Sequence, residues 1–179
     1  METLQACYKF RMLESFQALW ANFPKEHLHP LVVHFPIGLW AIGTILFLVS
    51  LIGWFYWLRI PAIIVGVLGS LMGWLAVETG EIAVKIVGSG VCDHALLKAH
   101  EQQAESAQIF FAVCWTVAAV FQFVQNKFLE GREAHVLIRV GLALGLILGT
   151  AYLVMAGHKG FQLVYDQGVA VRGATSQCR

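Results

Sequence analysis

Residues 27–58 read HLHPLVVHFPIGLWAIGTILFLVSLIGWFYWL, and no Asp, Glu, Lys or Arg interrupts them. The same condition holds over residues 60–77, 106–126 and 140–158. Each run meets or approaches the ~20 residues a helix needs to cross about 30 Å of hydrocarbon. A helix is required because lipid offers backbone N–H and C=O groups no partners. The apolar residues go all the way round rather than forming a stripe, as expected of a lipid-exposed span. Four spans follow, near residues 34–57, 61–83, 101–126 and 136–157.

The whole composition agrees. Charged residues make up 13% and hydrophobic residues 58% of the 179. Soluble domains carry about 25% charged residues, so this chain has too few to cover a globular surface. A net charge of +1 supplies no basic field for nucleic acid. The first 20 residues carry charges throughout, so a cleaved signal peptide is not expected.

Local signals bound the spans. Pro36 is expected in the first turn of span one, where a missing N–H costs nothing. Trp54, Phe55, Tyr56, Trp57 and Arg59 close that span as an aromatic belt at headgroup level. Pro61 opens span two, and the short turn makes spans one and two an antiparallel hairpin. Gly66, Gly69 and Gly73 share one face of span two, and Gly141, Gly145 and Gly149 lie four apart on span four. Such faces serve close helix packing or make room for a flat cofactor.

Outside the bundle, Leu4, Tyr8, Met12, Phe16 and Trp20 recur every four residues, which predicts an amphipathic interfacial or docking helix. Residues 1–28 are thus read as that segment, 29–171 as the transmembrane domain, and 172–179 as a tail. The Gly- and Val-rich stretch from Gly160 on reads as short and extended. No internal repeat stands out. The expected class is an all-α, four-transmembrane-helix bundle with an N-terminal interfacial helix and an extended C-terminal tail.

Four cysteines occur, with no CxxC or CxxCH, so covalent c-type haem and a thiol-redox motif are unsupported. Cys114 reads as a small core residue, and a Cys92–Cys178 disulfide requires those two segments to meet.

Four crossings bring the start of spans one and three and the end of spans two and four to one face. His27, His29, His34, His94, His100 and His158 fall there, six of the seven histidines. Neutral imidazole is the commonest metal ligand, and a pair on facing helices suits haem. His34 is expected to lie deepest, with Gly38 and Ala41 on its face, and His100 sits above Ala104, Ala107 and Phe111. Tight packing explains the small residues equally well. His34 and His100 are the expected haem b axial ligands, or metal ligands, with His94, His29 and His158 as further cofactor-binding candidates. Trp40, Trp74 and Phe110 are candidates to line a ring, and Lys98, Lys159 or Arg172 to neutralise propionates. Asp93 reads as an N-cap. Glu78 is expected to snorkel, to pair with Lys85, or to exchange protons.

Arg59, Lys127, Arg132 and Arg139 lie at the opposite face. The positive-inside rule then puts the histidine face outside the cytoplasm, the periplasm for a protein of a bacterial inner membrane.

The run His29-Pro30-Leu31-Val32-Val33-His34-Phe35-Pro36-Ile37-Gly38 resembles the opening signature of a bacterial family of predicted membrane proteins, domain of unknown function 2231. The ending from Gly157 to Val171, with Gly160, Leu163-Val164-Tyr165 and Gly168-Val169-Ala170-Val171, resembles the closing pattern of that family. Phe161 and Ala170 depart from it, where members carry glycines. The resemblance implies four spans over residues 29–171 and, ahead of the third, a histidine matched by His94 or His100. It implies no established activity.

Three functions compete. One is a b-type haem subunit passing electrons to other membrane or periplasmic redox subunits. The second is a cofactor-free structural or assembly subunit of a membrane complex. The third is a divalent-metal-binding protein using His29, His34, His100, Glu101 and His158. An electron-transfer or accessory subunit is expected rather than a self-contained enzyme, since Ser50, Ser70 and Ser106 have no base at their depth.

Overall fold

A computed structural model describes residues 23–128, 132–169 and 171 of the chain. Four helices run through them: α1 (Leu28–Val49), α2 (Arg59–Val87), α3 (His94–Phe128) and α4 (Arg132–Tyr165). All four are long and apolar enough to cross a membrane. Their outward residues are large and bare: Ile45 is 60% exposed, Trp74 59% and Phe123 83%. Leaving so much apolar area in water would cost ~25 cal/mol per Å², so lipid is the medium that fits this surface. The chain is membrane-embedded.

The helices pair as two antiparallel hairpins, α1 with α2 and α3 with α4, and packing is much denser within each hairpin than between them. On α1 the stripe Pro36, Trp40, Gly43, Thr44 and Phe47 is buried. That spacing keeps one helix face inward. Between the hairpins the seam is largely aromatic. Trp40 stacks on Phe111 with centroids 4.4 Å apart and planes at 10°. Phe47 meets Trp115 edge-on at 6.0 Å.

Glycines make this seam possible. A Cβ on Gly66 would overlap the Trp115 indole, and one on Gly73 would overlap Trp40 and the Gln108 amide. The glycine face of α2 therefore receives side chains from both sides, Trp40 of its own hairpin and Trp115 and Gln108 across the seam. Backbones do come close at Gly43, whose added Cβ would lie 3.2 Å from Gly66 N and 3.3 Å from Ala62 O.

Several boundaries differ from the sequence reading. The first span begins at Leu28, not near residue 34, which leaves Pro36 inside the helix and not in its first turn. Pro30 sits at the third helical position instead, where the absent N–H has no intrahelical partner to lose. The fourth helix runs on through Gly160 to Tyr165, so the stretch read as extended is helical there. It stops where Gly168 takes a left-handed φ of 67°. Gly168 N–H donates to Val164 O (3.0 Å), the αL closure that a glycine permits, and Val169 N–H reaches back to Leu163 O (3.1 Å). Asp93 does cap α3, accepting from Leu96 N–H at 2.9 Å. The residues that predict the amphipathic helix, Leu4 to Trp20, and the tail 172–179 lie outside the described residues; the described end of the segment 1–28 holds a short 3-10 turn, Lys25–His27, and Leu28 at the start of α1.

The two hairpins also carry a repeat that the sequence reading missed. Arg59, Leu68-Gly69-Ser70, Ala76 and Gly80 on α2 stand at the same spacing as Arg139, Leu148-Gly149-Thr150, Ala156 and Gly160 on α4. The local chemistry repeats too: Ser70 Oγ donates to Gly66 O, and Thr150 Oγ1 to Leu146 O. Few identities survive among many interchangeable apolar residues, which is why composition hides them.

Candidate functional site

At the histidine end the repeat places one imidazole from each hairpin. His29, in the first turn of α1, reaches across to α2: its Nδ1 lies 2.9 Å from Ala76 O. His100, near the start of α3, reaches across to α4: its Nδ1 lies 2.8 Å from Ala156 O. A carbonyl only accepts, so both Nδ1 atoms carry the proton and donate it. In the neutral ring that leaves each Nε2 with a free lone pair.

A glycine one turn beyond each carbonyl makes room for the ring. A Cβ on Gly80 would lie 3.2 Å from the His29 ring, and one on Gly160 would lie 3.1 Å from His100. Each histidine thus sees the same cradle, Ala-x-x-x-Gly on the partner helix.

His29 and His100 line one cleft in the seam, about 90 Å³ in volume. Val33, Pro36, Ile37 and Trp40 supply one wall, and Ala104, Leu153, Ala156 and Gly157 another. The two rings are near enough for charge on one to oppose charge on the other. The lining is apolar except for the two imidazoles and Gln108. The Gln108 Nε2 donates to Ser70 O at 3.1 Å, while its Oε1 is shielded from solvent and has no donor. A glutamine two turns below His100 was the available sequence signal for this residue.

The other candidates stand apart from the cleft. His34 is exposed, and its Nδ1 turns back to Pro30 O of its own helix. Five residues after His29 it points about 140° away around the helix, by the ~100° each residue turns. His94 and His158 are exposed and do not line the cleft. Of the proposed ring-lining aromatics, Trp40 lines the cleft; Trp74 faces outward, and Phe110 stacks on Tyr152 at 5.4 Å. Glu78 is exposed, and Lys85 pairs at 3.8 Å with Glu81 rather than with Glu78.

Among the described residues no three His, Cys, Asp or Glu side chains converge as a metal site. The arrangement is a two-imidazole pair. Cys92, in the loop before α3, is disulfide-bonded; Cys178, its expected partner, lies outside the described residues. Gln167, beyond the end of α4, fastens that loop by accepting from Cys92 N–H and Asp93 N–H, each at 3.2 Å. Cys114 is buried and free, as a core residue should be.

The family model described as predicted membrane protein (DUF2231) matches residues 25–173. No curated protein and no solved structure matches the chain.

Proposed function

We propose, for a chain that belongs to the DUF2231 family of predicted membrane proteins, that it is a membrane-embedded electron-transfer subunit holding a b-type haem between His29 and His100. The observation that carries this reading is the pair of cross-helix bonds from Nδ1 to Ala76 O and Ala156 O. A second-partner bond of that kind fixes the tautomer, orients the ring and raises the basicity of the other nitrogen. A bare zinc ion would ask for three or four protein ligands. A haem iron takes four donors from its macrocycle and needs only two axial ones, which is what the cleft offers.

The donor set fits the group; the closed cleft is narrow. Its roughly 90 Å³ is below the ~300–1,000 Å³ of ordinary cofactor pockets. Loading therefore requires the hairpins to part, and the seam is where packing is least dense. Gly157 has open space where a Cβ would stand, which supports entry from the α4 side. When bound, the haem would supply a one-electron couple at the end of the bundle, within reach of a partner redox protein.

Orientation is part of the same reading. Disulfides persist in oxidising compartments, and the Cys92 disulfide is at the histidine end. With Arg59 and Arg139 at the other end, both signals support a histidine end outside the cytoplasm, the periplasm if the membrane is a bacterial inner one.

The test is a visible absorption spectrum of the purified chain supplied with haem. A sharp reduced-minus-oxidised band is expected, lost in both His29→Ala and His100→Ala and kept in His34→Ala. A folded protein that shows no band under these conditions would instead be a cofactor-free subunit of a membrane complex.

A further inference from the structure

The repeat that pairs the histidines also pairs two arginines at the other end of the bundle. Arg59 and Arg139 occupy equivalent positions on α2 and α4, each 17 residues before the alanine that accepts from a histidine. The residues one turn on from them, Ala62 and Ile63 on α2 and Leu142 and Ala143 on α4, belong to one buried cluster. The two guanidinium groups are close enough to repel each other.

Nothing on the described part of the molecule neutralises them. The Lys85–Glu81 ion pair lies at the histidine end. The Nε atoms of both arginines are shielded from solvent and have no acceptor. Arg139 is nevertheless held in place: its Nη2 donates to Gln125 Oε1 at 3.2 Å, and its Cζ lies 5.9 Å from the Phe121 ring centre. Two cations at one end of the bundle, each with a shielded Nε that has no acceptor and one of them held in place, have no counter-charge among the described residues. The planar guanidinium fork matches phosphate oxygens in a bidentate manner.

We propose that Arg59 and Arg139 together bind one phosphate group, the headgroup phosphate of an anionic phospholipid. The source follows from depth. Trp54, Tyr56 and Trp57, at 88%, 66% and 59% exposure, immediately precede Arg59 and mark the headgroup level. A phospholipid presents its phosphate there, with acyl chains lying along the bare apolar flank of the helices. This site is independent of the haem reading.

Native mass spectrometry of the full-length protein, delipidated stepwise from mixed phosphatidylglycerol and phosphatidylcholine, tests it. The wild type should keep one phosphatidylglycerol in preference to phosphatidylcholine. Arg59→Gln and Arg139→Gln should each weaken that retention about ten- to a hundred-fold, the size of a lost charge-assisted hydrogen bond. Arg139→Lys keeps the charge but not the fork and should fall between; it also serves as the reading if a Gln variant does not fold. Equal retention of the two lipids, or variants that match the wild type, overturns the site. Full displacement of the lipid by inorganic phosphate would assign the site to the free anion and overturn the lipid source.

Discussion

The histidine end and the arginine end are built on the same repeat, yet they treat their polar groups differently. At the first, each Nδ1–H is satisfied inside the protein: Ala76 O and Ala156 O accept from it, and Gly80 and Gly160 leave space for the ring. At the second, Arg139 has one protein acceptor, Gln125, and both Nε atoms have none. A satisfied pair is preorganised, with a lone pair to offer. An unsatisfied pair is a demand for something outside the chain. In a bundle with so few charges, both are conspicuous.

The seam holds both ends in register, so breaking it should have the largest effect. Gly66→Ala drives a Cβ into Trp115; overpacking of this kind costs about 1–3 kcal/mol or more. A drop in detergent-resistant thermal stability checks it. Gly38→Ala has open space around it and should be neutral or slightly stabilising, which makes it the control.

Next come the histidines. Ala76 O and Ala156 O sit mid-helix, and Ala76 O also accepts from Thr79 Oγ1 at 3.0 Å, so losing the imidazole leaves neither carbonyl without a donor. His29→Ala and His100→Ala should each cost about 1 kcal/mol in the unloaded protein. The two costs should agree within a few tenths if the cradles are equivalent. A large inequality in chemical denaturation would break the equivalence.

The arginine end should respond with the opposite sign. In neutral detergent, Arg59→Gln, which leaves the Arg139–Gln125 bond in place, removes one of two repelling charges and should leave stability unchanged or raise it by a few tenths of a kcal/mol. In anionic lipid the same change should destabilise. Thermal melts in the two media sharpen the contrast between the ends. Smallest of all is Lys85→Ala: the Lys85–Glu81 pair is 75% and 60% exposed, and such pairs are worth ~0–1 kcal/mol. No measurable shift is expected.

Charge-free runs announced the four crossings because lipid tolerates so few charges, and that logic does not depend on details. The helix starts were harder. Pro30 reads as a boundary and Pro36 as a first-turn residue, yet the first turn of a helix accepts a proline at either place. Moving the start back to Leu28 brings His29 onto the inward stripe of Pro36 and Trp40 and turns His34 outward. The choice between the two histidines was therefore a question of register, and only the packed neighbours fix register. His100 was legible because Ala104, Ala107 and Phe111 share its face. The partners Ala76 and Ala156 were not, since any apolar helix offers carbonyls. The repeat was present in Arg, Leu-Gly-Ser/Thr, Ala and Gly at matched spacing, but its meaning depends on which helices pair.

The most direct check is nitrogen NMR of the full-length protein labelled on its histidine rings. Two cleft histidines should be protonated at Nδ1 and bare at Nε2, identified by loss of their signals in His29→Ala and His100→Ala. On adding haem, the signals of those two, and not of His34, should change. Nε2-protonated rings at positions 29 and 100, or a response confined to other histidines, would contradict the pair on which the functional reading rests.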